Sequence, residues 1–554
     1  MPLLSSWTQP TTPTRPRSNG ETSPSPTGPS YTWGEALGAG WQFQLALCAL
    51  CLFAAGALQP LADPDLPIHL AAGEWVVRHR SVPVVEPWAW SRQGGPFQAY
   101  SWAIETAYYL ILARVGPWGL HILQGIVYVA LAGAIVALGS VARWRPWTTI
   151  AVCGVQVVVV TAADPYLRPQ ATLAVVTPLV WALVLRSRDV ERLRWELPAL
   201  LFLSAIVANT HLLIPILLAP CVFLFTDRPR VVLRRMVVPL VIVLGWLLTP
   251  YAFQWPAIYR LNFAPNAMVG PPAIIAEYKP GFTLALRGGA VSLLVPVAFL
   301  VLPWLAATLL TRVQRLLHGI LWLGGALLFV LAARAILVWW LVIIPVVAGG
   351  IELLPLPTLR ATRRAQRFAL IAVAVLFGLK DVDRLSEFRL SEGTPSWRTL
   401  PSVNARAMEP IAEWLDCVVR PTARGRLVTT FAFGGYVPWR LPYLSESVDG
   451  RTIFPDSVAK AETYFFPSSP NLPLQPWRTS DLAIAPVGFP LATVLDTATG
   501  WHRVAVTGDT DGSPTAGLWV TERWWTVAGA VPLPEHPITL SPRLSRPQRP
   551  ACRG

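Results

Sequence analysis

The sequence predicts a polytopic α-helical membrane protein of about eleven spans that ends in a small extracytoplasmic α/β domain. Of its 554 residues, 53% are hydrophobic and only 14% are charged, whereas soluble proteins carry about 25% charged residues. The apolar runs lie between residues 41 and 380 and approach the roughly 17–25 residues that a span requires. From about residue 400, short aliphatic stretches alternate with Gly, Pro and Asp, which is typical of strands and turns.

The charge pattern indicates membrane topology rather than nucleic-acid binding. The formal net charge is +14, and all but three of the 45 basic residues are arginines. These arginines form short clusters between apolar runs instead of one basic patch, as topology signals do. The six cysteines show no metal-ligand spacing, and Cys48-x-x-Cys51 lies in an apolar run, where packing is favoured over redox chemistry.

The ends of the chain differ in composition from the middle. Residues 1–40 are rich in Pro, Ser, Thr and Gly and bury too little apolar surface to fold, so we expect a disordered cytoplasmic tail. The following run, 41–60, lacks a cleavage site and is interpreted as a retained first span. We assign 41–380 to the membrane domain, 400–530 to the outer domain and 531–554 to a loose tail.

The first outer loop, residues 61–117, carries the most distinctive polar residues. Asp63 and Asp65 follow the first span directly, and His69 and Glu74 come soon after. A carboxylate at this position can accept a proton from a hydroxyl group, or hold a divalent cation on a phosphate. The structural alternative is a solvated cap on the first span, with Pro64 preventing the helix from continuing.

The positions of the arginines support one topology. Residues 102–115 form a short, aromatic helical pattern with Glu105, which we interpret as an interfacial helix rather than a span. The remaining spans then fall at about 118–141, 147–163, 170–186, 197–208, 211–226, 236–253, 289–310, 317–332, 335–353 and 367–380. The arginine clusters near 143, 186–194, 228–235, 312–315 and 360–367 all become cytoplasmic, as the positive-inside rule requires.

The opposite face then collects polar residues from several loops, each with a structural alternative. Asp164 and Arg168 flank a helix entry, where they suit a phosphate or form a local salt bridge. Asn209-Thr-His211 interrupts an apolar run, either at a cavity or in a tight turn. Arg334 could neutralise a lipid phosphate or anchor a helix end. The remaining candidates are Glu277 and Lys279, which could also pair with each other.

The outer domain has four predicted strands, at 427–433, 482–485, 503–507 and 517–521, and one helix at 411–419. Its most distinctive run is Gly434-Gly-Tyr436-Val-Pro-Trp439-Arg440, followed by Asp449-Gly-Arg451. The sequence contains no phosphate-loop, zinc-helix or serine-elbow motif, so ATPase, zincin and serine-hydrolase functions have no support.

These motifs resemble the GT-C superfamily of integral-membrane glycosyltransferases. The shared features are an acidic motif in a large first outer loop, an interfacial helix after it, a second acidic loop and a C-terminal outer domain. More closely, the chain is similar to bacterial GT-C-like membrane proteins with Asp-x-x-x-His-Leu-x-x-Gly-Glu-Trp (here 65–75), Arg-Pro-Gln (168–170) and Gly-Gly-Tyr…Trp-Arg…Asp-Gly-Arg (434–451). The resemblance covers most of residues 41–455.

The resemblance implies transfer of a sugar from a polyprenyl-phosphate donor to an acceptor at the outer face of a bacterial cytoplasmic membrane. By position, Asp63 or Asp65 would be the catalytic base and Asp164 a second acidic group. Arg168, Lys279 and Arg334 would steady the leaving lipid phosphate. His69, Glu74, His211 and Glu277 would complete the substrate-binding set. The proline between the two aspartates departs from the family pattern.

The leading hypothesis is therefore a lipid-linked sugar transferase of the cell envelope, with a divalent cation left open as a cofactor. The alternative is a non-catalytic membrane scaffold or transporter whose outer domain binds a partner. A transporter is disfavoured because its polar groups usually lie at mid-membrane in repeated halves, whereas here they gather on one face.

Overall fold

The computed structural model describes residues 41–59, 61, 63, 65–90, 94–163, 167–189, 195–225, 229–262, 280–287, 290–354, 403–420, 422–447, 476–508 and 514–540. The predicted class is confirmed: an apolar helical membrane domain is followed by a mixed-sheet domain. The predicted span at 367–380, the tail 1–40 and the end of the chain after 540 lie outside the described residues.

The membrane domain consists of apolar helices whose bounds follow the predicted runs closely. Within the described part of the chain, four helices are long and apolar enough to cross a membrane and several others are shorter, so the count of eleven spans stays a prediction. In chain order the helices are α1 (Trp41–Ala57), α2 (Leu66–His79), α3 (Trp102–Val115), α4 (Pro117–Ala142), α5 (Pro146–Ala163), α6 (Gln170–Asp189), α7 (Glu196–Ala208), α8 (Pro229–Arg235), α9 (Val237–Trp246), α10 (Trp255–Asn262), α11 (Gly281–Arg287), α12 (Ala290–Ala306), α13 (Arg312–Leu331) and α14 (Ile336–Leu353).

Short 3-10 helices interrupt this series where polar or proline residues prevent regular helix. Ile214–Leu224 is a 3-10 segment with Pro215 near its start and Pro220 inside it, and a proline removes a backbone donor from a regular helix. The expected break around Asn209 is therefore present, with α7 ending at Ala208. Further 3-10 turns are Ala252–Gln254, Ala307–Leu309 and Ala333–Ala335.

One large apolar core holds the membrane domain together. Its largest fully buried side chains include Trp181, Trp339 and Trp340. The Trp181 Nε1–H donates to the Leu341 carbonyl at 2.9 Å, so the indole's single donor is satisfied inside the apolar interior. A buried donor without a partner is costly, and this bond removes that cost while fixing α6 against α14.

The C-terminal domain is a six-stranded mixed sheet in the order β2-β1-β3-β5-β4-β6. The central pairs β3–β5 and β5–β4 are antiparallel, whereas β1 pairs with β2 and β3 in parallel and β4 with β6 in parallel. The strands are β1 (Gly425–Thr429), β2 (Leu444–Glu446), β3 (Leu482–Pro486), β4 (Trp501–Gly508), β5 (Pro514–Thr521) and β6 (Ile538–Leu540), with helices α15 (Val403–Val418), α16 (Phe431–Gly434), α17 (Val437–Arg440), α18 (Pro490–Thr497) and α19 (Glu522–Ala528) and a 3-10 turn at Pro476–Thr479.

Three details of this domain differ from the sequence expectations. The first strand ends at Thr429, because the Thr430 hydroxyl caps α16 by accepting from the Phe433 N–H. The first helix begins at Val403 and contains Pro410 instead of starting after it. The sheet extends through β6 into the segment 531–554 that was predicted as a loose tail, because Ile538–Leu540 pairs with β4.

Candidate active site

An ion pair joins the first loop to the entry of α6. Arg168 lies two residues before α6, and its Nε donates to Asp63 Oδ2 at 2.9 Å while Nη2 donates to Oδ1 at 3.0 Å. Asp63 is 1% exposed and Arg168 is 8% exposed. This bidentate geometry is the strongest form of charged hydrogen bond, and it brings together two segments 105 residues apart in sequence.

Asp65 completes this group of three, which we call the Asp–Arg cluster. Its Oδ2 lies 3.3 Å from Arg168 Nη2, and its side chain is 29% exposed. Asp65 occupies the N-cap position of α2, yet its carboxylate makes no capping bond. Instead its backbone N–H donates to Asp63 Oδ1 at 3.0 Å. Asp65 is thus the accessible carboxylate of the cluster, and Asp63 is the buried one that holds the arginine.

A second acidic contact lies one turn along α2. The Nδ1 atom of His69 is 2.8 Å from Glu105 Oε1, a buried carboxylate in the first turn of α3. Burial by itself would lower the pKa of His69. The hydrogen bond to Glu105 and the charges of Glu105, Asp65 and Asp63 outweigh it and raise that pKa above its ordinary value. His69 therefore carries more positive charge at neutral pH than an ordinary histidine.

Gly73 makes this contact geometrically feasible. A Cβ atom at this position would lie 2.1 Å from the Glu105 carbonyl oxygen and 2.9 Å from Tyr109 Cβ. Only a residue without a side chain permits such a close crossing of α2 and α3. Because residues four apart share one face of a helix, the same crossing points His69 toward α3.

The Asn209 turn meets the same end of the helical domain. The Trp102 Nε1–H donates to Asn209 Oδ1 at 2.8 Å, and the Ala103 N–H donates to the Asn209 carbonyl at 3.1 Å. Nearby, the Ala99 N–H donates to the Tyr251 hydroxyl at 2.7 Å. The start of α3 is therefore fixed by polar groups from two later loops, as expected if these loops share one face.

His211 and Arg334 come from two later segments of the chain and lie near each other. His211 is buried, and its Nδ1 accepts from the Leu213 N–H at 3.1 Å. The positive charge of Arg334 acts on the His211 side chain. Arg334 itself lies exposed in the Ala333–Ala335 turn.

The other predicted site residues have different surroundings. Glu74 pairs with Arg78 on its own helix, with Nη2 and Oε1 2.5 Å apart, which is an ordinary (i, i+4) contact. Asp164, Glu277 and Lys279 lie outside the described residues. Within the described ranges, no group of three His, Cys, Asp or Glu side chains is arranged to hold a metal ion.

The run 434–440 of the outer domain contacts both its own domain and the helical domain. The Tyr436 hydroxyl and the Arg440 Nε both bond to the Glu409 carboxylate on α15, the second at 2.9 Å, and Arg440 also pairs with Asp416. Between them, Trp439 packs edge-on against Tyr109 of α3 with ring centroids 6.3 Å apart. The run therefore joins α17 to its own domain on one side and to the first loop on the other.

The edge of the sheet meets the first loop as well. Ala89 forms a parallel bridge with Glu446 of β2, whose N–H donates to the Trp88 carbonyl at 3.2 Å. The Trp90 Nε1–H donates to the Leu427 carbonyl at 3.1 Å. The loop thus continues the sheet beyond β2, and the outer domain lies on the same side of the helical domain as the Asp–Arg cluster.

The structure brings together Asp63, Asp65 and Arg168, and it places His69 against Glu105, a contact that sequence reasoning did not predict. That reasoning recognised Glu105 only as a charge in an aromatic helix. The available signal was a single acidic residue in the first turn of an otherwise apolar helix, where a buried carboxylate needs a partner.

No family model matches the sequence, and the comparison with curated proteins finds no match. Among solved structures, the chain is similar to ArnT from Cupriavidus metallidurans bound to undecaprenyl phosphate, at 14% identity and a TM-score of 0.45, covering 87% of this chain and 98% of that one. It is also similar to the archaeal oligosaccharyltransferase AglB from Archaeoglobus fulgidus, in complex with an inhibitory peptide and a dolichol-phosphate, at 10% identity and a TM-score of 0.39, covering 90% and 76%.

Proposed function

We propose that this chain is a membrane glycosyltransferase that moves a sugar from a polyprenyl-phosphate-linked donor to an acceptor at the extracytoplasmic face. The observation that carries the proposal is the Asp–Arg cluster, in which a buried Asp63 fixes Arg168 beside the accessible carboxylate of Asp65. The donor class is the one that the resemblance to GT-C enzymes implies.

In this mechanism Asp65 is the general base. The acceptor hydroxyl attacks the anomeric carbon, its proton moves to the Asp65 carboxylate, and the bond between that carbon and the phosphate oxygen breaks with its electron pair on the oxygen. Asp65 is the more exposed of the two carboxylates that share the Arg168 guanidinium, so its oxygens are the ones that an acceptor hydroxyl can reach. Asp63 is the positioning residue, because Arg168 occupies both of its oxygens.

The developing charge on the leaving phosphate requires cations, since preorganised positive groups stabilise charge where it forms. Arg168, Lys279 and Arg334 are assigned this role. Asp164, Glu74, His211 and Glu277 are assigned to the acceptor and the donor sugar. A divalent cation stays an open cofactor, and the bacterial cytoplasmic membrane is the proposed location.

The test uses the full chain in proteoliposomes with radiolabelled polyprenyl-phosphate hexoses as donors and a bacterial membrane extract as the acceptor source. Because general-base catalysis contributes roughly 10²- to 10⁴-fold, Asp65→Asn should reduce transfer by about that factor. The matched control is Glu522→Gln on the exposed side of α19, which should transfer normally. Equal product from Asp65→Asn and wild type would remove Asp65 from the mechanism. No retention or transfer of any hexose donor by the wild type would favour the scaffold alternative.

A further inference from the structure

Two helices that the sequence separates by an extended loop are brought together at a histidine and a glutamate. His69 and Gly73 lie on the face of α2 that meets α3, and Glu105 and Tyr109 lie on the facing side of α3. The side-chain contact between His69 Nδ1 and Glu105 Oε1 is 2.8 Å long. It adjoins the Asp–Arg cluster, because His69 is one helical turn after Asp65.

Only one oxygen of the Glu105 carboxylate has a hydrogen-bond partner among the described residues, and that partner is His69. The Glu105 side chain is 9% exposed, and its Oε2 atom is buried with no hydrogen-bond partner among the described residues. Most buried polar side-chain atoms are hydrogen-bonded, so an unpaired buried carboxylate oxygen calls for an explanation, and a catalytic role is one such explanation. By contrast, His69 offers its Nε2 atom, to which no described residue bonds.

We propose that His69 and Glu105 form a proton-transfer dyad of the active site, in which His69 is a catalytic acid and Glu105 is its positioning residue. Glu105 holds the Nδ1–H, which fixes the ring orientation and leaves Nε2–H directed away from the carboxylate. A carboxylate that orients an imidazole and stabilises its charged form acts in this way in many enzymes. The proposal rests on the proposed function for the identity of the substrate.

The charges around His69 agree with this role. Three carboxylates face it, from Glu105 on α3, Asp65 at the start of α2 and Asp63 in the preceding loop, and together they raise the pKa of His69 despite burial. Arg168 is held by Asp63 and Asp65. From the helix α17 that packs nearby, Arg440 is held by Glu409 and Asp416. Among the described residues, the phenols of Tyr108, Tyr109 and Tyr251 also lie on adjoining elements.

In the reaction, the imidazolium gives its Nε2 proton to the phosphate oxygen that leaves the sugar. The electron pair of the broken carbon–oxygen bond stays on that oxygen, and the proton neutralises one of its charges. Asp65 has meanwhile taken the acceptor's proton, which returns to Nε2 through water and restores both groups. The net reaction consumes no additional reactant.

The first arm of the test measures the ionisation of His69 directly in the full chain in detergent. Deuterium exchange at the imidazole C2 position, read by mass spectrometry of peptides, follows the ionisation of each histidine. His79 at the exposed end of the same helix is the internal control. We expect the His69 midpoint to lie above that of His79 in wild type and to fall in Glu105→Gln, with His79 unchanged. A wild-type His69 midpoint at or below that of His79 overturns the proposal, and this holds even if the variant does not fold.

The second arm follows the pH profile of sugar transfer. The alkaline limb should move to lower pH in Glu105→Gln, and His69→Asn should reduce kcat by about 10²-fold or more with little change in KM. An unmoved limb in an active Glu105→Gln protein overturns the dyad while leaving the transferase intact. If wild type shows no transfer but the His69 midpoint behaves as expected, the proposed function fails. The effect of Glu105 on the ionisation of His69 is then supported, and its use in sugar transfer is overturned.

Discussion

Arg168 pairs with two carboxylates of the candidate site. Its guanidinium is the hydrogen-bonding partner of both Asp63 oxygens and also reaches Asp65. Removing one member of a buried ion pair costs far more than the pair contributes, because the remaining charge stays buried without compensation. Arg168 is therefore both a structural link between the first loop and α6 and a part of the proposed chemistry.

We expect Arg168→Gln to lower the free energy of unfolding by about 3–5 kcal/mol, since Asp63 would be left as an uncompensated buried charge. The matched control is Arg78→Gln, which breaks the more exposed Glu74–Arg78 pair and should cost about 1 kcal/mol or less. Thermal unfolding of the purified proteins in detergent measures both. Equal losses of unfolding free energy in the two variants would show that the buried Asp63–Arg168 pair matters no more for stability than the exposed pair.

The crossing of α2 and α3 is the element-level feature that assembles the site. The two helices approach so closely at Gly73 that its Cβ position is occupied by the Glu105 backbone. The helix bounds were predictable, because Trp102–Val115 has a clear apolar pattern and a glycine after it. The contact between His69 and Glu105 was not, because single-sequence patterns report periodicity within an element and not which two elements cross.

The sheet shows the same division between what is predictable and what is not. β3, β4 and β5 were predicted to within a few residues, because their aliphatic runs are bounded by turn residues. β2 and β6 were missed, because a three-residue strand such as Leu444–Glu446 is too short to show alternation. Such strands are specified by the neighbours they pair with.

We expect Gly73→Ala to separate α2 from α3 and to break the His69–Glu105 contact, because the added methyl group would overlap the Glu105 carbonyl. Overpacking of this kind costs about 1–3 kcal/mol, and transfer activity should fall with it. The control is Gly133→Ala in α4, where a Cβ meets nothing within 4 Å. The unfolding temperatures of the two variants provide the comparison, and a Gly73→Ala protein as stable as Gly133→Ala would contradict the close crossing.

At the scale of the whole molecule, the outer domain and the first loop are joined by a bridge to the sheet and by apolar packing. Residues 88–90 extend the sheet at β2, and Trp439 joins an apolar cluster with Leu61, Leu66 and Leu167, which lie next to members of the Asp–Arg cluster. The helix that carries Trp439 is in turn held by Glu409. We therefore expect a change in the Glu409 contacts to affect the packing of Trp439 against the first loop and α3.

The outer domain should lose stability as the pH rises from about 4.5 to about 7. Burial, only partly opposed by Arg440, raises the pKa of Glu409 from 4.5 to about 7. Because the pKa of Glu409 is higher in the folded than in the unfolded state, its protonation stabilises the fold. This contribution to the free energy of unfolding is full below about pH 4.5 and is lost as the pH rises to about 7. Hydrogen exchange of peptides from 403–447 should show falling protection over this interval in wild type, after correction for the intrinsic rise of the exchange rate with pH. Glu409→Gln, which imitates the protonated carboxyl, should flatten the dependence, and an equally steep profile in that variant would assign it to another group.

The most direct test of the central claim is to locate a bound lipid-linked sugar with a photoreactive polyprenyl-phosphate hexose on the full chain. The account predicts cross-links in the segments around 61–74 and 167–170. It also predicts that Asp65→Asn retains these cross-links while its sugar transfer falls by about 10²- to 10⁴-fold. Cross-links confined to other parts of the chain, or normal transfer by Asp65→Asn, would contradict it.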